Sequence, residues 1–199
     1  MSTFIEVALR TMTRDPSTRA VSRRAVMRGL FGTALLMARP AAAFAGERRI
    51  SLENPNTGEG FCDVYWCDGG YVAESLRRID WLMRDFHCDQ ATSIDPALVD
   101  LLHRLSATLD TCRPIQILSG YRTGATNSLL RGEGLHPAAN SLHLFGQAAD
   151  IRVERVPTGV LRRAAVELRA GGVGTYRRAR FVHVDCGPVR QWAGTRRAR

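Results

Sequence analysis

The spacing of apolar residues along the chain predicts both helices and strands. Leu76, Ile79, Met83 and Phe86 recur at helical intervals. A second helical stripe follows the pair Asp95-Pro96, which is typical of an N-cap with proline at the first helical position. We expect helices at residues 72–86, 96–109, 124–131 and 157–170.

Short apolar and β-branched segments between these helices predict strands. Two of them flank the turn-rich stretch 54–60 and are expected to form a hairpin. The predicted strands lie at residues 50–52, 61–66, 115–118, 148–153, 173–176 and 181–186. This order of elements predicts an α+β domain, with a small mixed or antiparallel sheet and two or three helices packed on it.

The first 45 residues have the pattern of an export signal. Arg23-Arg24 lies within a segment similar to the twin-arginine signature, and an apolar run follows at residues 30–38. Ala43-Phe44-Ala45 fits a small-x-small cleavage site. The apolar run is too short to span a bilayer, which takes about 20 residues. We expect residues 1–45 to be a cleaved twin-arginine signal peptide, and the mature chain to lie in the periplasm without a membrane span. An anchoring helix is the alternative.

The net charge does not indicate a nucleic-acid partner. The chain has a formal charge of +9, and all 28 basic residues are arginine. Seven arginines and two acidic residues within residues 1–45 account for +5, and three more arginines stand at positions 196, 197 and 199. What remains is close to neutral, so no basic face is available for nucleic acid. We expect one monomeric domain at residues 46–194, followed by a basic tail at 195–199.

Two histidines and one aspartate form a candidate metal site. His143, Asp150 and His183 are residue types that bind zinc in catalytic sites, where a fourth position is left to water. His183 and Asp185 stand two residues apart in a predicted strand, so they share one face of it. Each residue taken singly is more often structural. If strands 148–153 and 181–186 are neighbours, the side chains of His143, Asp150, His183 and Asp185 should converge.

These residues stand within ordered motifs that resemble the zinc-dependent murein peptidases of the hedgehog/DD-peptidase fold, in particular the branch of murein endopeptidase K. The similarity extends over about residues 50–192, and its motifs are Ser119–Thr123, Ala125–Asn127, Asn140–His143, Gly146–Arg152, Gly171–Tyr176 and Phe181–Asp185. The resemblance implies that His143, Asp150 and His183 bind one zinc ion per chain. It also implies a substrate class, the peptide cross-links of peptidoglycan.

The resemblance assigns roles to neighbouring residues as well. It places Arg122 in the cleft, against a substrate carboxylate or the developing oxyanion. It places Ser141 at a substrate-contacting position, with a turn-capping role as the alternative. Several relatives carry a glutamate three residues before the last histidine ligand, where this chain has Arg180. We therefore expect Asp185 to act as the general base.

The sequence thus predicts an exported zinc metallopeptidase that hydrolyses peptide cross-links of the bacterial cell wall. Zinc would polarise the scissile carbonyl and activate water. Two alternatives stay open. One is a zinc-binding module that recognises the wall without catalysis, which Arg180 keeps open. The other is a carboxypeptidase that trims single stem peptides.

Overall fold

A mixed β-sheet of eight strands organises the protein in a computed structural model that describes residues 46–132, 138 and 140–194. The strands run across the sheet in the order β3-β2-β1-β4-β5-β7-β6-β8. Two neighbouring pairs, β1–β4 and β6–β8, are parallel, and the other pairs are antiparallel. The strands are β1 Arg48–Asn54, β2 Glu59–Cys67, β3 Gly70–Tyr71, β4 Ile115–Ser119, β5 Ala148–Val153, β6 Gly172–Tyr176, β7 Phe181–Asp185 and β8 Arg190–Ala193.

Four α-helices and a 3-10 helix complete the described part of the chain. They are α1 Ala73–Leu82, α2 Pro96–Thr108, α3 Gly124–Gly132 and α4 Thr158–Glu167, with the 3-10 helix at Leu142–Phe145. Helix α2 begins as predicted, because the Asp95 carboxylate accepts a hydrogen bond from the Ala97 N–H at 2.9 Å. Helix α1 ends earlier than its apolar pattern indicates. The carbonyl of Met83 bonds the N–H of Tyr121 at 2.8 Å instead of continuing the helix.

The hydrophobic core lies on one face of the sheet, against α1, α2 and α4. Inward side chains of the central strands alternate with outward ones, so β5 and β7 each contribute apolar residues to this face. Each large aliphatic side chain buried here stabilises the fold by roughly 1.5–3 kcal/mol. Fully or almost fully buried members are Leu52, Ile79, Leu98, Leu102, Ile117, Ile151, Leu161, Val182 and Val184. The remaining positions of β5 and β7 therefore face the opposite side of the sheet.

The α+β class is confirmed, but the sheet is larger than predicted. The described residues form eight strands, where the sequence predicted six; the four helices are those predicted, and three of them, α1, α2 and α4, pack on the sheet. Strands β3 and β8 were not predicted. The first has only two residues, and the second is a mostly exposed edge strand without a regular apolar alternation.

Several sequence predictions lie outside the described residues. These are the signal peptide at 1–45, the basic tail at 195–199 and the loop position of His136. Within the residues that the structure describes, no helix has the length and apolar character that a membrane crossing requires.

Candidate metal centre

His143, Asp150 and His183 meet on the sheet face opposite the core. Strands β5 and β7 are antiparallel neighbours, and their register sets Asp150 directly opposite His183. The 3-10 helix that precedes β5 supplies His143. All three side chains are buried. The structure thus brings together the three residues that the sequence proposes as ligands.

The distances between the three candidate donor atoms fit a tetrahedral metal site. His183 Nδ1 lies 3.0 Å from Asp150 Oδ1, and His143 Nε2 lies 3.2 Å from His183 Nδ1. The third edge, from His143 Nε2 to Asp150 Oδ1, is 3.4 Å. Bonds of about 2.0–2.1 Å from zinc in a tetrahedron place its ligand atoms about 3.3 Å apart. The three atoms therefore have the spacing that the ligands of one zinc ion would have, and they form a group that could hold a metal ion.

His143 presents an unprotonated nitrogen to this space. Its Nδ1–H donates to the carbonyl of Gly120 at 2.6 Å, which leaves the lone pair of Nε2 facing the other two groups and the guanidinium of Arg122. Burial and the nearby Arg122 guanidinium lower the pKa of His143 to about 4. The imidazole is neutral at pH 7, as a metal ligand must be.

His183 is oriented in the same manner by a carboxylate. Its Nε2–H donates to Oδ2 of Asp185 at 3.1 Å, so that Nδ1 faces Asp150 and His143. Burial alone lowers the pKa of His183, but its hydrogen bonds with Asp150 and Asp185 outweigh burial and raise it. Burial raises the pKa of Asp150, yet His143 and Arg122 hold it well below its usual range, so this carboxylate is charged. Two imidazole nitrogens and an anionic oxygen converge, which is an arrangement that a divalent cation stabilises.

Asp185 lies behind His183, away from the ligand atoms. Its side chain is completely buried, and Oδ1 accepts hydrogen bonds from the N–H groups of Gly172 and Gly187, both at 2.9 Å. Oδ2 accepts from Arg190 at 2.8 Å besides His183. Burial raises the pKa of Asp185, but these hydrogen bonds, that from His183 foremost, lower it to about 2.

This placement argues against the predicted role of Asp185 as general base. A base must reach the proton that it removes, and its pKa should lie near the working pH. Asp185 does not meet the first condition, because the ring of His183 separates it from the ligand atoms. A carboxylate that binds the second nitrogen of a histidine ligand fixes the tautomer and orientation of that ligand. The geometry therefore favours a positioning role for Asp185 over that of a base.

Strands β6 and β8 make room for this arrangement in a way that the sequence analysis missed. A side chain at Gly172 would meet the Asp185 carboxylate, and one at Gly174 would come within 2.5 Å of the Trp192 ring. Trp192 lies beside His183, with ring centroids 5.2 Å apart, and so forms a wall of the site. The alternation of two glycines in the strand before His183 and Asp185 was the available signal.

Arg122 and Ser141 both border the ligand cluster. The guanidinium of Arg122 is buried and donates to Asp150 Oδ2 at 2.6 Å, to His143 Nε2 at 2.9 Å and to Ser119 at 2.8 Å. It therefore lies within reach of a group bound at the centre. Ser141 precedes the 3-10 helix that carries His143, but its hydroxyl makes no capping hydrogen bond. The turn-capping alternative for Ser141 has no support in this geometry.

The other described histidines lie elsewhere. His103 Nδ1 lies 2.9 Å from the carbonyl of Arg49, and His87 is an exposed residue whose ring packs against Phe86. Neither belongs to the cluster of His143, Asp150 and His183.

Two imidazoles and one carboxylate on the face of a mixed sheet are a ligand set of catalytic zinc sites. The fold and the site thus define a candidate metal-dependent hydrolase. The family model described as peptidoglycan L,D-endopeptidase MepK, a peptidase family, matches residues 42–192. The chain belongs to this family.

Individual relatives agree with the family match. The chain is 40% identical over 166 residues to the peptidoglycan L,D-endopeptidase MepK of Escherichia coli (strain K12), covering 81% of this chain and 90% of that protein. It is 36% identical over 148 residues to a probable peptidoglycan L,D-endopeptidase MepK of Haemophilus influenzae, covering 74% and 80%. No solved structure matches the chain, so the hedgehog/DD-peptidase fold stays a prediction from the resemblance.

Proposed function

We propose that the protein is an exported zinc peptidase that hydrolyses peptide cross-links of peptidoglycan. The observation that carries the proposal is the convergence of three candidate ligand atoms, 3.0–3.4 Å apart, in a chain of this peptidase family. Relatives named as L,D-endopeptidases favour a bond of that stereochemistry as the target.

His143, Asp150 and His183 would hold the ion, with Asp185 fixing the orientation of His183. When bound, zinc supplies a Lewis acid and lowers the pKa of a bound water to about 7. Arg122 contributes a fixed positive charge beside the ligands, where an oxyanion develops during peptide hydrolysis. The Ser141 hydroxyl makes no capping hydrogen bond to the 3-10 helix, so it would be available for a hydrogen bond to the substrate peptide.

Digestion of purified muropeptides by the zinc-loaded protein tests this function. Cross-linked dimers should be converted to monomers, with the products separated by chromatography and identified by mass. A mutant with His143→Ala serves as the inactive control, because two ligands hold zinc poorly. Shortening of monomers with dimers left intact would show a carboxypeptidase and would contradict the proposal.

A recognition module without catalysis is the second candidate. It is favoured by Arg180, which replaces the glutamate of several relatives, and by the position of Asp185 behind His183. The same digestion separates the two functions. Binding of intact muropeptide dimers without any cleavage, by protein shown to contain zinc, would establish the module and exclude the peptidase.

Export by the twin-arginine route is part of the proposal and rests on Arg23-Arg24 and the cleavage pattern at residues 43–45. Replacement of both arginines by lysine should leave an uncleaved precursor in the cytoplasm. Cell fractionation and immunoblotting would measure this. Normal arrival of the double mutant in the periplasm would refute the route.

A further inference from the structure

A second arginine, Arg152, lies in β5 two residues after the candidate ligand Asp150. Both side chains therefore project from the same face of the strand. Alternate residues of a strand are about 6.6 Å apart along its axis. Arg152, a half-buried residue, therefore belongs to the same sheet face as Asp150 and His183.

Hydrogen bonds across three strands hold this guanidinium in place. Glu53 of β1 accepts from the side-chain amide of Gln116 of β4 at 2.6 Å. The amide oxygen of Gln116 in turn accepts from Nε of Arg152 at 2.7 Å. Within the described part of the chain, the two terminal nitrogens of Arg152 have no hydrogen bond or ion pair. The side chain is thus oriented, but its bidentate edge is open to a ligand.

Arg152 opens onto a surface pocket of about 470 Å³ that is rich in positive charge. Arg180 lines the same pocket, and among the described residues it pairs with no acidic group. The pocket's one acidic residue, Glu154, is already bonded to Arg113 at 2.5 Å. The first turn of α4 borders the pocket, contains no acidic residue and adds to the positive potential.

We propose that Arg152 and Arg180 bind a free carboxylate of the peptide whose cross-link is cut at the metal centre, an inference that rests on the proposed function. The planar guanidinium matches a carboxylate with two parallel hydrogen bonds. Arg122, for which the resemblance implies a contact with a substrate carboxylate or the oxyanion, is buried and bonded to Asp150. Arg152 lies about 6.6 Å along β5 from Asp150, so the recognised carboxylate belongs to a part of the peptide near the scissile bond but outside it.

At Arg180 the charge can be removed by a substitution that does not destabilise the fold. Its backbone is left-handed, with φ of 56°, a conformation that asparagine adopts more readily than arginine. Arg180→Asn therefore removes the charge without a cost in backbone strain. Arg152→Gln removes the second charge, and Arg163→Gln on the exposed side of α4 is a control of equal charge change.

The first arm of the test compares two cross-linked peptides that differ only in amidation of the free carboxylates. Wild-type protein and Arg163→Gln should cleave the free acid with a kcat/KM about 10- to 100-fold above that of the amide. Arg152→Gln and Arg180→Asn should lose most of this preference. Equal cleavage of both peptides by the wild type, or an unchanged preference in both mutants, would overturn the inference.

The second arm uses the uncleavable monomer product, again as acid and amide, and measures its affinity for each protein by calorimetry. The acid should bind more tightly to the wild type, and the difference should shrink in Arg152→Gln and Arg180→Asn. If neither cross-linked peptide is cleaved, the proposed function fails. The calorimetric comparison then decides by itself whether the pocket binds a carboxylate. Equal affinity of acid and amide for the wild type would then reject it.

Discussion

At the scale of single residues, the site is defined by which nitrogen of each histidine is left unprotonated. The carbonyl of Gly120 and the carboxylate of Asp185 each accept the N–H that points away from the centre. The other nitrogens of His143 and His183 consequently face Asp150 with their lone pairs. Outer hydrogen-bond acceptors of this kind hold ligand rings in register before a metal binds.

Asp185→Asn tests the positioning role. The amide can present its NH2 group to His183, which removes the strong acceptor that selects the tautomer, so the Kd for zinc should rise about 10- to 100-fold. Competition with a chromophoric chelator measures this affinity, and Asp89→Asn, an exposed residue, is the control. Unchanged zinc affinity with a rate reduced about 10²–10⁴-fold would instead restore Asp185 as the base.

The cluster of His143, Asp150 and His183 could be predicted from the sequence, whereas the hydrogen-bond partners of its side chains could not. The motifs around these three residues have an order and spacing that indicate a candidate metal site. The side of the His183 ring that Asp185 occupies depends on side-chain rotamers and on Arg190 of β8. That strand is stabilised by pairing with β6, which is a tertiary contact that local periodicity does not encode.

At the scale of elements, the loop after β4 is attached to the segment after α1. Asp85 accepts hydrogen bonds at 2.9 Å from both the N–H and the hydroxyl of Thr123, the residue after Arg122. The N–H of Tyr121 bonds the carbonyl of Met83 in the same region. These contacts fix the loop that carries Arg122 towards the centre.

Asp85→Asn should destabilise the protein by about 1–3 kcal/mol, because the amide fits this set of donors poorly. Burial raises the pKa of Asp85, but hydrogen bonds from Thr126 and Thr123 outweigh it and lower that pKa. Its stabilising contribution is therefore complete above the unfolded pKa of about 3.9 and is lost as the pH falls through the folded value.

Denaturant unfolding of the wild type and of Asp85→Asn at several pH values measures this. The difference in free energy of unfolding should be largest above about pH 4 and should shrink at lower pH. The exposed Asp68→Asn serves as the control and should show little difference throughout. A difference between wild type and Asp85→Asn that is independent of pH would contradict the account.

Strong local signals explain which elements were predicted. The β1–β2 hairpin and the capped helix α2 follow from turn residues and from Asp95-Pro96, and both are present. The predicted ends of α1 and α4 lie beyond the observed ends. Helix α1 ends where the carbonyl of Met83 accepts a tertiary hydrogen bond, which apolar spacing does not encode. Strands β3 and β8 exist only by pairing with longer strands.

At the scale of the whole molecule, the chain crossings of the sheet create the site. His143 and His183 are 40 residues apart, and helix α4 with strand β6 lies between Asp150 and β7. After β5 the chain passes over the core face in α4 and re-enters the sheet as β6. It then turns back as β7, which lies between β5 and β6. One ion bound there would connect three segments and stabilise the native state by mass action.

The most direct test of the account is the zinc content of the purified protein, measured per polypeptide by elemental analysis after dialysis against metal-free buffer. The wild type and the control His103→Ala, whose histidine lies outside the cluster, should each retain one zinc per chain. His183→Ala should retain almost none, because two ligands hold the ion poorly. A wild type without zinc after loading, or a His183→Ala protein that keeps a full equivalent, would contradict the assignment of the metal centre.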